Sequence, residues 1–514
     1  MRKKYRSKKA TTFKNTGYSH HGASHTKKSL ILWNDRSSNP DEDITWNLGT
    51  LRQRSRSLQQ GNPTAVGALK TVVTNVVGPG LVLRPCIDAE ALHMTEDQAT
   101  AWETQVAREF ALWSESKDCD AARMLNFNQL QQLVLLSTLL NGDCLVLLPM
   151  IPRLGMVYDL RVQLIEGDRL CNPDSVPDWD KYQAGIELDD YGAPVRYHIA
   201  KYYPQALQQA SVNAWDTVEV FGTKTGRRNA LLLMLMERVG QRRGVPFLAP
   251  VIEVFKQLGR YVDAELMAAV VAGCFTGVIT TESGEVDLGE MSPPDEAVSQ
   301  AGIDASGIKM GNGTLISLAP GEDIKSLNPT RPNTAFDGFV TSLLRQIGSA
   351  LEIPMELLTK HFTASYSASR AALLEAWKMF KKQRSWLVSD FCQPVYEEWL
   401  MEAVARGRIN APGFLTDQAI RRAYCGAEWN GPAPGQINPK DEVEAAVMAV
   451  NANLNTLARA TVELNGGDFN QNYRQRVREM QMLRKGDLLQ QVAQNANDSQ
   501  SNNSNNEGGG INEK

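Results

Sequence analysis

The chain has 514 residues, 42% of them hydrophobic and 22% charged, and a formal net charge of −4. That is long enough for several packed units and apolar enough to fold, which excludes a wholly disordered or low-complexity protein. No run of about eighteen apolar residues occurs, and the basic N-terminus has no apolar stretch behind it, so neither a bilayer-spanning helix nor a secretory signal is expected.

Residues 1–28 hold nine Lys or Arg and no acid, which leaves −13 on the remainder. An acidic body with a short basic arm does not fit a protein that grips nucleic acid over its whole surface. It suits local contact that lets a polyanion move, because each phosphate neutralised adds affinity and therefore friction. The cysteines Cys86, Cys119, Cys144, Cys171, Cys274, Cys392 and Cys425 are scattered and odd in number, with no Cys-x-x-Cys pair. They read as reduced, mostly buried thiols in a cytosolic setting, not as a disulfide framework or a zinc site.

In chain order, residues 1–30 are polar and aperiodic and read as a disordered basic arm. Residues 31–245 read as an α/β body. Within it Arg52, Arg54 and Arg56 alternate: an extended strand would put them on one face, a helix would fan them out. Taken alone the triplet reads first as a solvated basic stretch and second as a phosphate or inter-subunit contact. Thr95 and Gln98 form a capping box, opening a helix that buries Trp102, Val106, Phe110 and Trp113. A second helix, about Phe127 to Leu140, stops at Asn141-Gly142-Asp143. Strands are expected where Leu160, Val162 and Leu164 alternate with Arg161 and Gln163, and where Val195, Tyr197 and Ile199 alternate with Arg196 and His198, with a turn at Asp189–Gly192 between them.

Pro246 is expected to open a helix running to about Gly273, followed by turns and short strands over 277–313. Phe336, Phe339, Val340, Leu343, Leu344, Ile347 and Leu351 follow the helical period up to Pro354, leaving Thr341, Ser342, Arg345 and Gln346 as a polar face. A long helix is expected from Phe362 to about Gly407, kinked or restarted at Pro394. After a Gly/Pro loop at 429–435, two more helices are expected over about Pro439–Leu464 and Phe469–Arg484, with a disordered Asn- and Ser-rich tail at 493–514.

Catalytic signals are weak. Gly222-Thr-Lys-Thr-Gly226 lacks the spacing of a phosphate-binding loop and reads as a surface turn. His20, His21 and His25 lie in the arm, and His93, His198 and His361 have no Cys or acid at ligand spacing. No metal site, cofactor site or nucleophile–base order is evident.

Several short runs stand in a shared order. They are Leu51-Arg-Gln-Arg-Ser-Arg-Ser-Leu58 with Gly61-Asn-Pro63, then Asn75-Val-Val-Gly-Pro-Gly80, then Gly240-Gln-Arg-Arg-Gly-Val-Pro246 with Leu258–Leu266. Ala319-Pro-Gly-Glu322, Arg331-Pro332 and Asn438-Pro-Lys440 add to them, as do Tyr366-Ser-Ala-Ser-Arg370 and Gln393-Pro-Val-Tyr-Glu-Glu-Trp399. Over roughly residues 45–470 this order resembles the portal proteins of tailed phages, the lambda-like portal family. A Met at 234 stands near a position where that family often carries His.

The resemblance implies a helix-rich α+β, multidomain subunit of a ring of about twelve copies around an axial channel, at one vertex of a capsid. Such a ring would pass double-stranded DNA inward and out again. It would meet the terminase large subunit, the major capsid and scaffold proteins and the head-tail connector proteins, in the host cytoplasm during assembly and in the virion afterwards. No cofactor and no membrane are implied. The parts expected are a wing at 31–245, a stem helix at 246–275, a clip at 276–325 and a second stem helix at 326–352. A long wing helix with a channel-facing loop at 353–430 and crown helices at 431–492 complete the set. Residues expected to face the channel or a neighbouring subunit are Arg52, Arg54, Arg56, Arg345, Gln346, Tyr366, Ser367, Ser369 and Arg370. The competing reading is a nucleic-acid-processing enzyme whose site is assembled from distant residues.

Overall fold

The computed structural model describes residues 28–29, 38–173, 176–179, 181–204, 214–273, 277–281, 322–326, 336–362, 365–436 and 438–485. The expected tail, nearly all of the basic arm, most of the segment 276–325 and Cys274 lie outside the described residues. What is described is a helix-rich α+β subunit.

Asn39 and Pro40 start α1 (Pro40–Gly61), the Asn39 side chain accepting from the Glu42 amide at 2.8 Å. Asn62 ends α1 and caps α2 (Pro63–Val76) through the Ala65 amide. α2 buries Ala65, Ala68, Leu69, Val72 and Val76 at helical spacing, but apolar periodicity does not announce α1. The inward positions of α1 are Ile44, Leu48, Arg52 and Ser55, so half of its buried stripe is polar. This helical geometry resolves the alternation of the arginines. Arg52 and Arg56, four apart, share one face, and Arg54 points away into solvent.

β1 (Val82–Pro85) follows, and then α3 (Glu96–Ser114), whose Thr95/Gln98 capping box forms on both sides as expected. A second capping box, Asn126 with Gln129, opens α4 (Phe127–Asn141), and Gly142 ends it at φ +91°.

β2 (Asp143–Leu147) and β3 (Gln163–Glu166) form a long antiparallel hairpin. The strand expected from Leu160 begins later. Before Gln163 the pairing is reduced to single bridges, Leu160 with Met150 and Val162 with Asp120; Glu402 accepts from the Asp159 and Leu160 amides on the other edge, and Arg161 is buried instead of facing solvent. β4 (Tyr182–Gln183), β5 (Ile186–Leu188), β6 (Pro194–Ala200) and β7 (Trp215–Glu219) make an antiparallel meander. The Asp189–Gly192 turn joins two of its strands, with Asp189 Oδ1 accepting from Tyr191 and Ala193. β8 (Ala230–Met234) adds to the other edge of β2, and the Gly222–Gly226 run is the exposed turn ahead of it.

A short 3₁₀ turn at Ala249–Val251 precedes α5 (Ile252–Gly273), so Pro246 stands before this helix instead of opening it. β9 (Gly277–Thr281) pairs antiparallel with β10 (Glu322–Ser326), with Ile279 opposite Ile324. α6 (Phe336–Ala350) returns against α5, with Tyr261 stacked on Phe336 and edge-on to Phe339.

After α7 (Met355–Thr359), the expected long helix divides into α8 (Tyr366–Leu387) and α9 (Gln393–Ala405). A π turn at Val388–Cys392 joins them, and Pro394 sits in the first turn of α9, where a missing amide costs least. α10 (Gln418–Tyr424) and β11 (Ala427–Asn430) follow, and β11 pairs with β1 from the other end of the chain. The helix expected over 439–464 is two: α11 (Pro439–Asn451) and α12 (Leu457–Asn465). Asn453 at φ +57° and the Thr456 cap break it. α13 (Phe469–Lys485) is the last described element.

The main core is aromatic. Phe110 on α3 meets Phe127 of α4, Tyr396 and Trp399 of α9 and Trp429 of β11 edge-on, at 5.0–6.0 Å between centroids. Cys119, Cys144, Cys392 and Cys425 are buried, and burial pushes the thiols of Cys119, Cys144 and Cys425 up to about 12. Such thiols are not nucleophiles near neutrality.

Candidate functional site

The densest polar constellation lies where α1, β2 and the loop before α5 meet. Asp143, the first residue of β2, is fully enclosed. Arg52 Nη2 donates to its Oδ1 at 2.7 Å, Arg243 Nε to its Oδ2 at 2.8 Å, and the Gly244 amide also donates to Oδ2, at 3.2 Å. Both guanidiniums spend their other donors on the chain itself. Arg52 reaches the Asn141 carbonyl and Asp168; Arg243 reaches the carbonyls of Gly167, Leu170 and Ala184. Arg56 closes the outer side, paired with Asp168 at 2.5 Å and donating to Asn141 Oδ1 at 2.9 Å.

Glycines make room for this. A Cβ at Gly142 would strike the Gly244 carbonyl, and one at Gly167 would strike Asp143 and Arg52. Burial alone would raise the Asp143 carboxyl, but Arg243 and Arg52 hold it below the ordinary aspartate value. Burial pushes the Arg52 guanidinium down from its ordinary value, against the opposing pull of Asp143.

Because the folded carboxyl is depressed, its contribution is present above the unfolded value of about 3.9 and is lost as pH falls through the lower folded value. We therefore expect Asp143→Asn to remove part of the acid-side slope of stability below about pH 4. Thermal midpoints of variant and wild type, stepped from pH 5 to pH 3, test this; parallel slopes would overturn it.

Two of the sequence runs thus serve one knot, Arg52 and Arg56 from the first and Arg243–Gly244 from the third. A second knot holds Gly78-Pro-Gly80. Arg384 on α8 donates to the carbonyls of Asn75, Val76 and Pro432, each at 2.8 Å. Gln131 exchanges bonds with Leu81, and Gln132 donates to the Gly78 carbonyl. Gly80, at φ +138°, faces Asn128 with no space for a Cβ.

The expected channel or inter-subunit residues do not form one cluster. Arg52 is buried inside the subunit, Arg56 is half-buried in the same knot, and Arg54 is exposed. Arg345 and Gln346 are exposed on α6, away from that knot. Arg345 lines a shallow groove of about 470 Å³ with Glu375 and Lys378 of α8. Tyr366 opens α8 and its side chain is outside the described set; Ser367 is exposed, while Ser369 and Arg370 are half-buried. Arg370 Nη1 pairs with Glu442 of α11 at 3.0 Å, linking the start of α8 to the C-terminal helices. Asp143 and Arg384 escaped sequence reading. The only sequence sign of Asp143 is an acid directly after a helix-ending Gly.

The outer half of α5 exposes Val262, Leu266, Met267 and Val270. Among the described residues no His/Cys/Asp/Glu group could hold a metal ion, and no helix is long and apolar enough to cross a membrane.

A family model described as "Phage portal protein, lambda family" matches residues 26–384. Portal protein B of Escherichia phage lambda is 24% identical over 481 residues, covering 90% of this chain and 89% of its own. The portal protein of Escherichia phage N15 is 24% identical over 491 residues, with the same coverage of 90% and 89%. Among solved structures, a chain in the neck of a native GTA particle computed with C12 symmetry aligns over 72% of this chain and 92% of its own, at 14% identity and TM-score 0.41. One in the neck of an empty GTA particle computed with C6 symmetry aligns over 72% and 93%, at 14% identity and TM-score 0.43.

Proposed function

The chain belongs to the lambda family of phage portal proteins, a structural and non-enzymatic class, and from that membership we propose that it closes into a ring of about twelve copies at one capsid vertex. The family match carries this reading, and the exposed apolar face of α5 supports it. Four large apolar side chains on the outer half of one helix leave a surface that a neighbouring copy would cover.

In this reading α5 and α6 are the paired stem helices at 246–275 and 326–352, and the segment 276–325 between them is the clip, with β9 and β10 at its root. The body at 31–245 and the stretch 353–430 form the wing, and 431–492 the crown. The exposed polar face of α6, Arg345 and Gln346, looks into the channel. Double-stranded DNA passes there during packaging and ejection, slowed little because the body is acidic. Arg54, Ser367, Ser369 and Arg370 remain proposed inter-subunit or channel contacts, and Arg370 also pairs within the chain. The clip docks the terminase large subunit and later the head-tail connector proteins, while the wing meets capsid and scaffold.

Purified protein is expected to form rings without nucleotide, with a mass many times 56.8 kDa, and to show neither ATPase nor nuclease activity alone. Electron-microscopy class averages test the ring. Monomers alone, or magnesium-dependent DNA cleavage, would overturn the reading in favour of a nucleic-acid-processing enzyme.

A further inference from the structure

The β2–β3 hairpin ends in a turn that is apolar where turns are normally polar. Leu154 is fully exposed at its apex, and Met150, Met156 and Val157 are exposed around it. The Met156 amide donates to the Arg153 carbonyl at 3.1 Å and Gly155 stands at φ +80°, the geometry of a type II turn with glycine in its third place. The turn is held rigidly. Arg153 folds back and donates to the carbonyls of Asp118, Asp120 and Ala121 and to the Asp118 carboxylate. An apolar apex braced in this way is a preformed knob, because little ordering entropy is left to lose on docking.

At the other end of the same hairpin lies a groove of about 860 Å³. Met234, Met236, Pro246 and Met379 give it apolar walls. Gln383 and Trp386 of α8 line it with two enclosed polar atoms, Gln383 Oε1 and Trp386 Nε1, that have no partner among the described residues. The Gln383 side chain is more than nine-tenths buried, so its unmet acceptor is costly unless something else meets it. The turn offers what is missing. Among the described residues the Gly155 amide and the Leu154 carbonyl find no hydrogen-bond partner, one a donor and the other an acceptor.

Register puts knob and groove at opposite ends. Asp143 pairs with Met234 at the groove end and Leu147 with Ala230 at the knob end, with the apex farther on, up to roughly 30 Å from the groove at the strand rise. A knob cannot reach its own groove across that span. Two different, complementary faces on one chain make a head-to-tail contact, the kind that closes rings.

We propose that the Leu154 turn of one copy seats in the Met236–Trp386 groove of the next, a contact that rests on the ring reading above. A benzophenone photo-crosslinker in place of Leu154, irradiated in assembled rings, is expected to join neighbouring copies through peptides carrying Met236, Met379 or Trp386. Leu154→Asp is expected to raise the concentration for half-assembly at least about tenfold with unchanged circular dichroism. Intact rings that crosslink elsewhere or not at all, or that assemble normally with Leu154→Asp, overturn the contact and leave the ring standing. If wild type forms no ring, the ring reading and this contact fall together.

Discussion

Asp143→Ala is expected to cost about 3–5 kcal/mol, because it leaves two enclosed guanidiniums facing each other without their shared carboxylate. The buried pair has desolvation set against attraction, so its intact worth is small. Removing the anion alone forfeits the attraction and keeps the desolvation. Arg52 retains Asp168, and Arg243 retains three carbonyls, but the two buried cations then face each other across the vacated carboxylate position and repel. The loss falls at the junction of α1, β2 and the loop feeding α5, so α5 loses its root as well. The urea midpoint of dissociated subunits, followed by far-ultraviolet circular dichroism, measures it. A change below about 1 kcal/mol would mean that water reaches the cluster and that Asp143 is not the keystone assigned to it.

Trp399→Ala is the second large effect, about 3–5 kcal/mol by cavity formation. Trp399 is completely buried against Phe110, Tyr158 and Tyr396. Its indole nitrogen has no hydrogen-bond partner among the described residues, so truncation breaks no polar contact there and the cost is one of volume and packing. Trp399→Phe, which keeps an aromatic ring, is expected to lose less than half as much. The same urea titration decides it. Equal losses for the two would point to a role for the nitrogen that its surroundings do not provide.

Where burial follows apolar spacing, the sequence announces the fold. Trp102, Val106, Phe110 and Trp113 lie inward as their period requires, and the Thr95/Gln98 box marks the helix start to the residue. Where burial is polar, it does not. α1 hides Arg52 and Ser55 beside Ile44 and Leu48, so its stripe is missing from the hydrophobic pattern. Arg161 breaks the alternation of a strand: it is buried where the period calls for a solvent-facing side chain, and its guanidinium turns back to the Leu160 carbonyl. The knot around Asp143 is of the same sort. Its members come from α1, the α4–β2 junction, the turn after β3, the β4–β5 turn and the loop before α5, and only the folded chain brings them within bonding distance. The break between α11 and α12 was hidden because Asn453 reaches a left-handed conformation without a glycine to signal it.

The π turn at Val388–Cys392 puts the break in the expected long helix just ahead of Pro394, where the sequence calls for a kink or restart. One residue beyond the helical count turns everything after it by about 100°. The inward side of α8 faces α2 and α7, whereas α9 drives Tyr396 and Trp399 toward Phe110. The end of α8 where Arg370 pairs with Glu442 and the aromatic centre packed by α9 are therefore served by differently phased faces of one helical run.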